Sequence, residues 1–281
     1  MIAKNPKAAL IKSLLTHIFL ITFCLSVNFP LIWMAATSLK AGSEVNRFPP
    51  KIIPAEPTLE NYSYVWNDMK MSSYFLNSVY VSVLTVATAL SLGTTAGYAF
   101  ARFRIKGKQG LLVSILFFRM LPPILFIIPL FFLLQKIGLY NRLESVALSV
   151  TTISLPFAVW MMKNYFQTIP GEIEEAATID GCNRFQAFFR VMLPLARPGM
   201  AATAVFCFLS AWNDFLFANV LIHSEARRTL VVALYSYVGE FLIEWNKLMS
   251  ASILTMIPVI IFFFLINKNL FKGVSAGSIK G

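Results

Sequence analysis

Apolar residues in this chain neither alternate nor recur at helical spacing within a polar background; they come as long unbroken runs. Six such runs, centred near Phe23, Thr88, Phe126, Ile153, Leu209 and Phe262, are each about 20 residues long, enough to cross a hydrocarbon core of roughly 30 Å as a helix. The pattern predicts an all-α integral membrane protein with six transmembrane helices. The first run, about Leu14 to Ala36, is longer than a signal-peptide core and lacks a small-x-small cleavage site before the next polar segment, so it reads as a retained helix. Residues 1–13 then form an N-terminal segment, 14–272 a single six-helix membrane domain and 273–281 a mobile tail.

Proline and glycine punctuate this frame. Between the first two runs, Thr37 to Ser73 carries Pro49, Pro50, Pro54 and Pro57, which forbid a regular helix and predict an extended outer loop. The second run contains "GTTAG", Gly93 to Gly97, a small-xxx-small spacing that lets two helix backbones approach closely. The third run holds Pro122, Pro123 and Pro129, the fourth Pro156 and the sixth Pro258, each of which frees a carbonyl and bends a spanning helix. Between the fifth and sixth runs, "HSEARRTLVVALYSYVGEFLIEW" reads as an interfacial or partly re-entrant helix.

Charge adds orientation. Only 13% of residues are charged and the mean hydropathy is +0.69, yet the net charge is +11. Six spans sort the basic residues onto two sides. One side holds Lys4, Lys7 and Lys12, then Arg102, Arg104, Lys106 and Lys108, then Lys163, Arg184, Arg190 and Arg197, then Lys268, Lys272 and Lys280, against the acids Glu172, Glu174, Glu175 and Asp180. The other side is nearly neutral. Lysine and arginine excess marks the cytoplasmic face, so both termini are expected inside a prokaryotic cell membrane and the positive charge does not argue for a nucleic-acid partner.

Candidate chemistry is sparse. No phosphate-binding G-x-x-x-x-G-K-[ST], no H-E-x-x-H and no G-x-S-x-G occurs, so any ATP that drives this protein is bound by another chain. Cys24, Cys182 and Cys207 make no disulfide framework, and His17 and His223 have no ligand-spaced neighbours. Ionisable groups inside spans are expensive to bury and draw the eye. "AWNDF" sets Trp212, Asn213 and Asp214 in the fifth run and "FFRML" sets Arg119 in the third. Two readings stand: Asp214 and Arg119 neutralise each other between helices, or the four side chains line a hydrated path suited to a polyhydroxylated solute.

The most informative polar stretch is "EEAATIDGCNRFQAFFRVMLPLARP", Glu174 to Pro198, within a loop of about 167–198. Pro170 and Gly171 open a short helix with Glu172, Glu174 and Glu175 in its first turn, where the helix dipole favours acids, and Gly181 stops it. A second helical piece follows, with Phe185, Phe188 and Phe189 at i, i+3, i+4 predicting an apolar face opposite Arg184 and Arg190. An amphipathic helix resting on lipid headgroups explains the phenylalanines and arginines, but three glutamates on an anionic surface do not fit it.

This stretch resembles the EAA loop of the membrane permease subunits of binding-protein-dependent ATP-binding cassette importers. That pattern is E-A-A, three residues, G, nine residues, then I-x-L-P. Here it reads Glu175-Ala176-Ala177, Gly181, nine residues, then Val191-Met192-Leu193-Pro194, with valine for isoleucine the one departure. "ENYSYVW", "IPLFFLLQKIGLYN", "PFAVWMMKNYFQTIP", "AWNDFLFA" and the ending "SAGSIKG" look like the carbohydrate-importing branch, in particular permeases similar to the smaller membrane subunit of the maltose transporter.

The resemblance implies a type I ABC importer permease fold with a cytoplasmic coupling helix and no catalytic or ATPase site of its own. It implies a second permease subunit, two ATPase subunits that bind ATP and Mg, an extracytoplasmic solute-binding protein and a sugar as solute. Carried over residue by residue, Glu174, Glu175, Ala176, Ala177, Asp180, Gly181, Leu193 and Pro194 would contact or position the contact with the ATPase. A self-sufficient secondary transporter or channel predicts inverted repeats and coupling carboxylates, and neither is visible; a permease for glycerol phosphate would need more cations in the path than Arg119.

Overall fold

The computed structural model describes residues 6–240 and 244–277; Lys4 and Lys280 of the charge argument lie outside them. Every regular element among the described residues is helical. In chain order these are α1 (Pro6–Ser38), α2 (Gly42–Val45), α3 (Glu60–Asn67), α4 (Met71–Arg102), α5 (Lys108–Met120), α6 (Ile127–Lys136), α7 (Leu143–Thr168), α8 (Gly171–Ile179), α9 (Arg184–Ala187), α10 (Leu193–Leu195), α11 (Arg197–Trp212), α12 (Leu216–Leu221), α13 (Leu230–Glu240) and α14 (Trp245–Gly277). A 3-10 turn, Pro123–Phe126, leads into α6, and a π-helical turn, Phe188–Met192, joins α9 to α10. The tail expected from residue 273 is helical as far as Gly277.

The residues gather into two compact units. The first comprises Met1–Met69 with Glu240–Leu254. Its α1 is exposed along the apolar stretch from Leu14 to Phe29, as suits a helix whose solvent is lipid. A helix end leaves carbonyls without partners, and here a buried polar group supplies them. Asn61 Nδ2 donates to the carbonyls of Ser38 and Lys40, both at 2.8 Å, and Ser250 Oγ donates to Ser38 O at 3.0 Å. Asn246 Nδ2 in turn donates to Asn61 Oδ1 at 2.7 Å. The outer segment expected to be extended throughout is so only around its prolines, where no N–H is available for a helix; α2 and α3 flank that proline run.

The second unit comprises Lys70–Gly239 with Thr255–Gly281. Its centre is α4 packed along α7, and the two run parallel. Thr85 donates to Ala147 O, Thr88 and Thr151 share a 2.8 Å hydrogen bond, Gly93 meets Ala158 and Gly97 meets Met162. A Cβ on Gly93 would stand 2.7 Å from the Ala158 Cβ, so the "GTTAG" spacing does serve close helix approach. α11 crosses the pair, and its Gly199 lies against the Tyr165 ring so tightly that a Cβ would meet it at 2.3 Å.

Among the described residues, four helical stretches are long and apolar enough to cross a membrane: Lys12–Ser38, Met71–Arg102, Leu143–Thr168 and Trp245–Phe264. The third and fifth apolar runs are broken helices, and the third breaks at the prolines expected to bend it. Lys108–Met120 and Pro123–Lys136 meet at 100°, and Arg184–Leu195 and Arg197–Trp212 at 73°, so the described residues hold six spans when each bent pair counts as one. At the first break Leu121 and Pro122 are both extended, because a residue before proline is pushed out of the α region. At the second, Pro194 and Pro198 cannot donate to the helix ladder.

Candidate functional site

The α8 elbow is specified residue by residue. Pro170, with no N–H to lose, precedes the first turn, where Glu172 and Glu174 sit near the positive end of the helix dipole. The helix closes with two crossed hydrogen bonds, Cys182 N to Ala177 O at 3.0 Å and Gly181 N to Thr178 O at 3.1 Å. That closure needs a left-handed residue after the cap, and Gly181 supplies it at φ 87°. Two residues later a new helix starts under a reciprocal cap: Gln186 N donates to Asn183 Oδ1 at 2.8 Å and Asn183 N to Gln186 Oε1 at 3.0 Å. The helix–glycine–helix shape expected from the sequence is therefore present.

Two faces of this elbow differ. Ala177 is buried, whereas Glu172, Glu175, Ala176, Asp180 and Gly181 are exposed and the Ile179 side chain is 85% exposed. Glu174 is held within the chain: its Oε2 pairs with Arg102 Nε at 3.0 Å and its Oε1 accepts the Tyr98 hydroxyl. Its carboxylate is thus committed to α4, unlike that of Glu175, which faces out. The expected phenylalanine face also divides. Phe188 is buried with its ring centroid 4.6 Å from that of Tyr98, while Phe185 is 73% exposed and Phe189 is open as well. Phe188 turns inward where the π-turn begins, packing on Tyr98 and Phe166, while Phe185, one turn earlier in α9, stays out. Leu193 and Pro194 lie half-buried where the chain returns toward α11.

Of the four intramembrane candidates, none hydrogen-bonds or ion-pairs with another. Asp214 lies in the break after α11 and caps α12, its Oδ2 accepting from Ala218 N at 3.0 Å and its Oδ1 from Phe217 N at 3.5 Å. Its charge is absorbed by helix N–H groups, not by Arg119. Arg119 donates to Ile153 O at 3.3 Å and lays its guanidinium over two rings, 4.7 Å from the Phe206 centroid and 5.2 Å from that of Phe157. Mutual neutralisation of Asp214 and Arg119 is thereby excluded. Trp212, 1% exposed, is a packing residue: it stacks on Phe208, meets Phe75 edge-on and donates its indole N–H to Thr255 O at 3.1 Å. Asn213 is exposed and returns its amide to Leu209 O. Arg119 and Asn213 are exposed, Asp214 is half-buried and Trp212 is buried.

Sequence reading missed the partners that hold this frame. Tyr98 and Arg102 sit inside what reads as an ordinary span end. At the opposite end of α4, Asn141 adopts φ 57°, accepts from His223 N at 3.0 Å and Ser224 N at 2.9 Å through one side-chain oxygen, and donates its N–H to Leu221 O. An asparagine between "GLY" and "RLES" was a usable turn signal, since asparagine tolerates the left-handed region.

Spans broken at prolines and joined at one end by an exposed elbow helix define a polytopic membrane transport subunit. Residues 89–276 match the family described as binding-protein-dependent transport system inner membrane component, and the chain belongs to that family. It is 38% identical over 261 residues to the inner membrane ABC transporter permease protein YcjP of Escherichia coli, covering 92% of this chain and 93% of that one. It is 34% identical over 254 residues to the trehalose transport system permease protein SugB of Mycobacterium tuberculosis, covering 90% and 92%. Its fold matches a chain in the crystal structure of a bacterial ABC transporter involved in the import of the acidic polysaccharide alginate, with a TM-score of 0.82, 25% identity and coverage of 93% and 97%. The chain therefore has the ABC importer permease fold and is a multi-pass protein of the prokaryotic inner membrane.

Proposed function

We propose that this chain is one membrane half of a binding-protein-dependent carbohydrate importer and that its α8 elbow is where an ATPase subunit seats. Carbohydrate as the solute class rests on its relatives, one of them a trehalose system permease and one an alginate importer. The observation that carries the coupling assignment is the elbow itself. A nine-residue helix is closed by a left-handed glycine, with Glu172, Glu175 and Ile179 exposed on one face and Ala177 and Glu174 held against the rest of the chain on the other. An exposed patch of apolar and acidic side chains on a rigid mount suits a protein partner better than it suits water.

In this reading the elbow and both termini are cytoplasmic, consistent with the excess of lysine and arginine on that side. A second permease subunit completes the path, a solute-binding protein delivers sugar from outside, and the ATPase pair binds ATP and Mg. ATP binding draws the ATPases together, the elbows follow, and the spans shift between two arrangements whose populations nucleotide biases. This chain changes no bond; it positions helices.

Affinity purification of the tagged chain from its native membranes, with mass spectrometry of what accompanies it, tests the reading. Wild type should bring an ATPase and a second permease. Gly181→Val, which forces a β-branched residue to φ 87°, should lose the ATPase and keep the permease. Recovery of the chain alone, or of an undiminished ATPase with Gly181→Val, contradicts it.

A further inference from the structure

We propose that Arg102 and Tyr98 are positioning residues which lock the elbow helix α8 to the end of α4, so that Glu174 belongs to an internal clamp and not to the ATPase-facing surface. The inference rests on the coupling role given to α8 above.

Three contacts converge. The Glu174 carboxylate uses one oxygen for Arg102 Nε at 3.0 Å and the other for the Tyr98 hydroxyl. The same guanidinium donates through Nη2 to Ile169 O at 2.7 Å, just past the end of α7. Arg102 thus ties α4, α7 and α8 at one point. The side chains of Arg102 and Glu174 are only 17% and 20% exposed, so the pair is shielded from the solvent that weakens surface ion pairs. A guanidinium fork suits this task because its donors are fixed in one plane.

The clamp continues into packing. The Tyr98 ring meets Phe166 of α7 at 5.4 Å, Phe188 of the π-turn at 4.6 Å and Phe103 at 5.8 Å, all between centroids. Met162, Met192 and Ala196 close the same buried cluster. Arg184 lies over Phe103, 5.5 Å from its centroid. A push on α8 therefore reaches α4 through the Tyr98 hydrogen bond and the Arg102 ion pair, α7 through the Arg102 bond to Ile169 O, and the start of α11 through the Phe188 turn. The second phenylalanine of the predicted stripe faces inward because it is part of this cluster.

The assignment separates neighbours that sequence treats alike. Glu174 and Glu175 are adjacent acids in one motif, yet one faces α4 and the other faces out. Substituting Glu174 should disturb transmission while the ATPase still binds; substituting Glu175 should disturb binding.

The test uses the complex purified through the tagged chain and placed in nanodiscs. Spin labels at the exposed Thr95 on α4 and Thr178 on α8, in a background free of Cys24, Cys182 and Cys207, report the distance between the two helices with and without trapped ATP. In the wild type that distance should be the same in both states, because the two helices move together. Arg102→Gln and Glu174→Gln should retain the ATPase but show a distance that shifts between states. The reversed pair Arg102→Glu with Glu174→Arg should restore the single distance, a rescue that loss of folding would not permit. Tyr98→Phe, which removes one oxygen, should give a smaller shift.

An unchanged distance in Arg102→Gln, or a shift already present in the wild type, overturns the clamp. Loss of the ATPase on Glu174→Gln overturns it too, by making Glu174 a partner contact. Failure of the wild-type chain to bring any ATPase is a different result, and it removes the coupling role of α8 itself.

Discussion

Gly97 lies against Met162 so closely that a Cβ on the glycine would stand 2.7 Å from the Met162 Cβ and 2.8 Å from the Lys163 backbone nitrogen. Backbone cannot step aside as a flexible side-chain end can. Gly97→Leu is therefore expected to cost at least the ~1–3 kcal/mol typical of overpacking and to lower the melting temperature of the detergent-solubilised chain. Gly110→Ala, where an added Cβ meets nothing within 4 Å, should melt like the wild type. Fluorescence-detected size exclusion after heating compares the two.

Asp214 is a helix cap, and this predicts a chemistry-specific pattern. Asp214→Asn keeps one oxygen for the 3.0 Å bond from Ala218 N, gives up the longer 3.5 Å bond from Phe217 N, and should leave stability and uptake near wild type. Asp214→Ala should lose ~0.5–2 kcal/mol, the usual cost of removing a cap. Uptake abolished by the asparagine variant, with stability intact, would show that the charge acts on the solute.

Arg119 sits beside Ile153 and Phe157, midway along α7, on an exposed face of the chain. An arginine facing lipid at that depth is costly, which argues that this face meets water or a partner subunit. Arg119→Cys should be modified by a membrane-impermeant thiol reagent in the assembled complex. Cysteine at Phe132, an exposed apolar position on α6, should be labelled far more slowly.

Asn141 joins the chain before α7 to the turn after α12. Asn141→Gly keeps the backbone at φ 57° but loses the side-chain acceptor for His223 and Ser224; Asn141→Ala loses both. The expected order of thermal stability is wild type, then glycine, then alanine, with the last step about 1–2 kcal/mol from left-handed strain. Equal melting of the glycine and alanine variants would show that backbone strain plays no part.

Much of this was readable in advance because its causes are local. Span length follows from apolar runs, the Gly93 and Gly97 contact from small residues at helical spacing, and the elbow from Pro170 and Gly181. What escaped were choices made by tertiary packing. Glu174 and Glu175 are indistinguishable in composition and differ only in which side of α8 faces Tyr98 and Arg102. For Trp212 and Asp214 the sequence left two readings open, and their neighbours were set by packing: α11 ends at Trp212, and Asp214 accepts from N–H groups of the next helix. The breaks at Leu121–Pro123 and near Pro194 were signalled by proline, but the size of each bend depends on packing.

The most direct test of the central claim is a photo-crosslinking amino acid placed at Ile179, 85% exposed on the elbow helix, and separately at the buried Ala177, in the complex within native membranes. The elbow assignment predicts a crosslink from position 179 to an ATPase subunit and none from position 177. A crosslink from 179 to lipid or to the second permease alone, with the ATPase present in the same membranes, would contradict it.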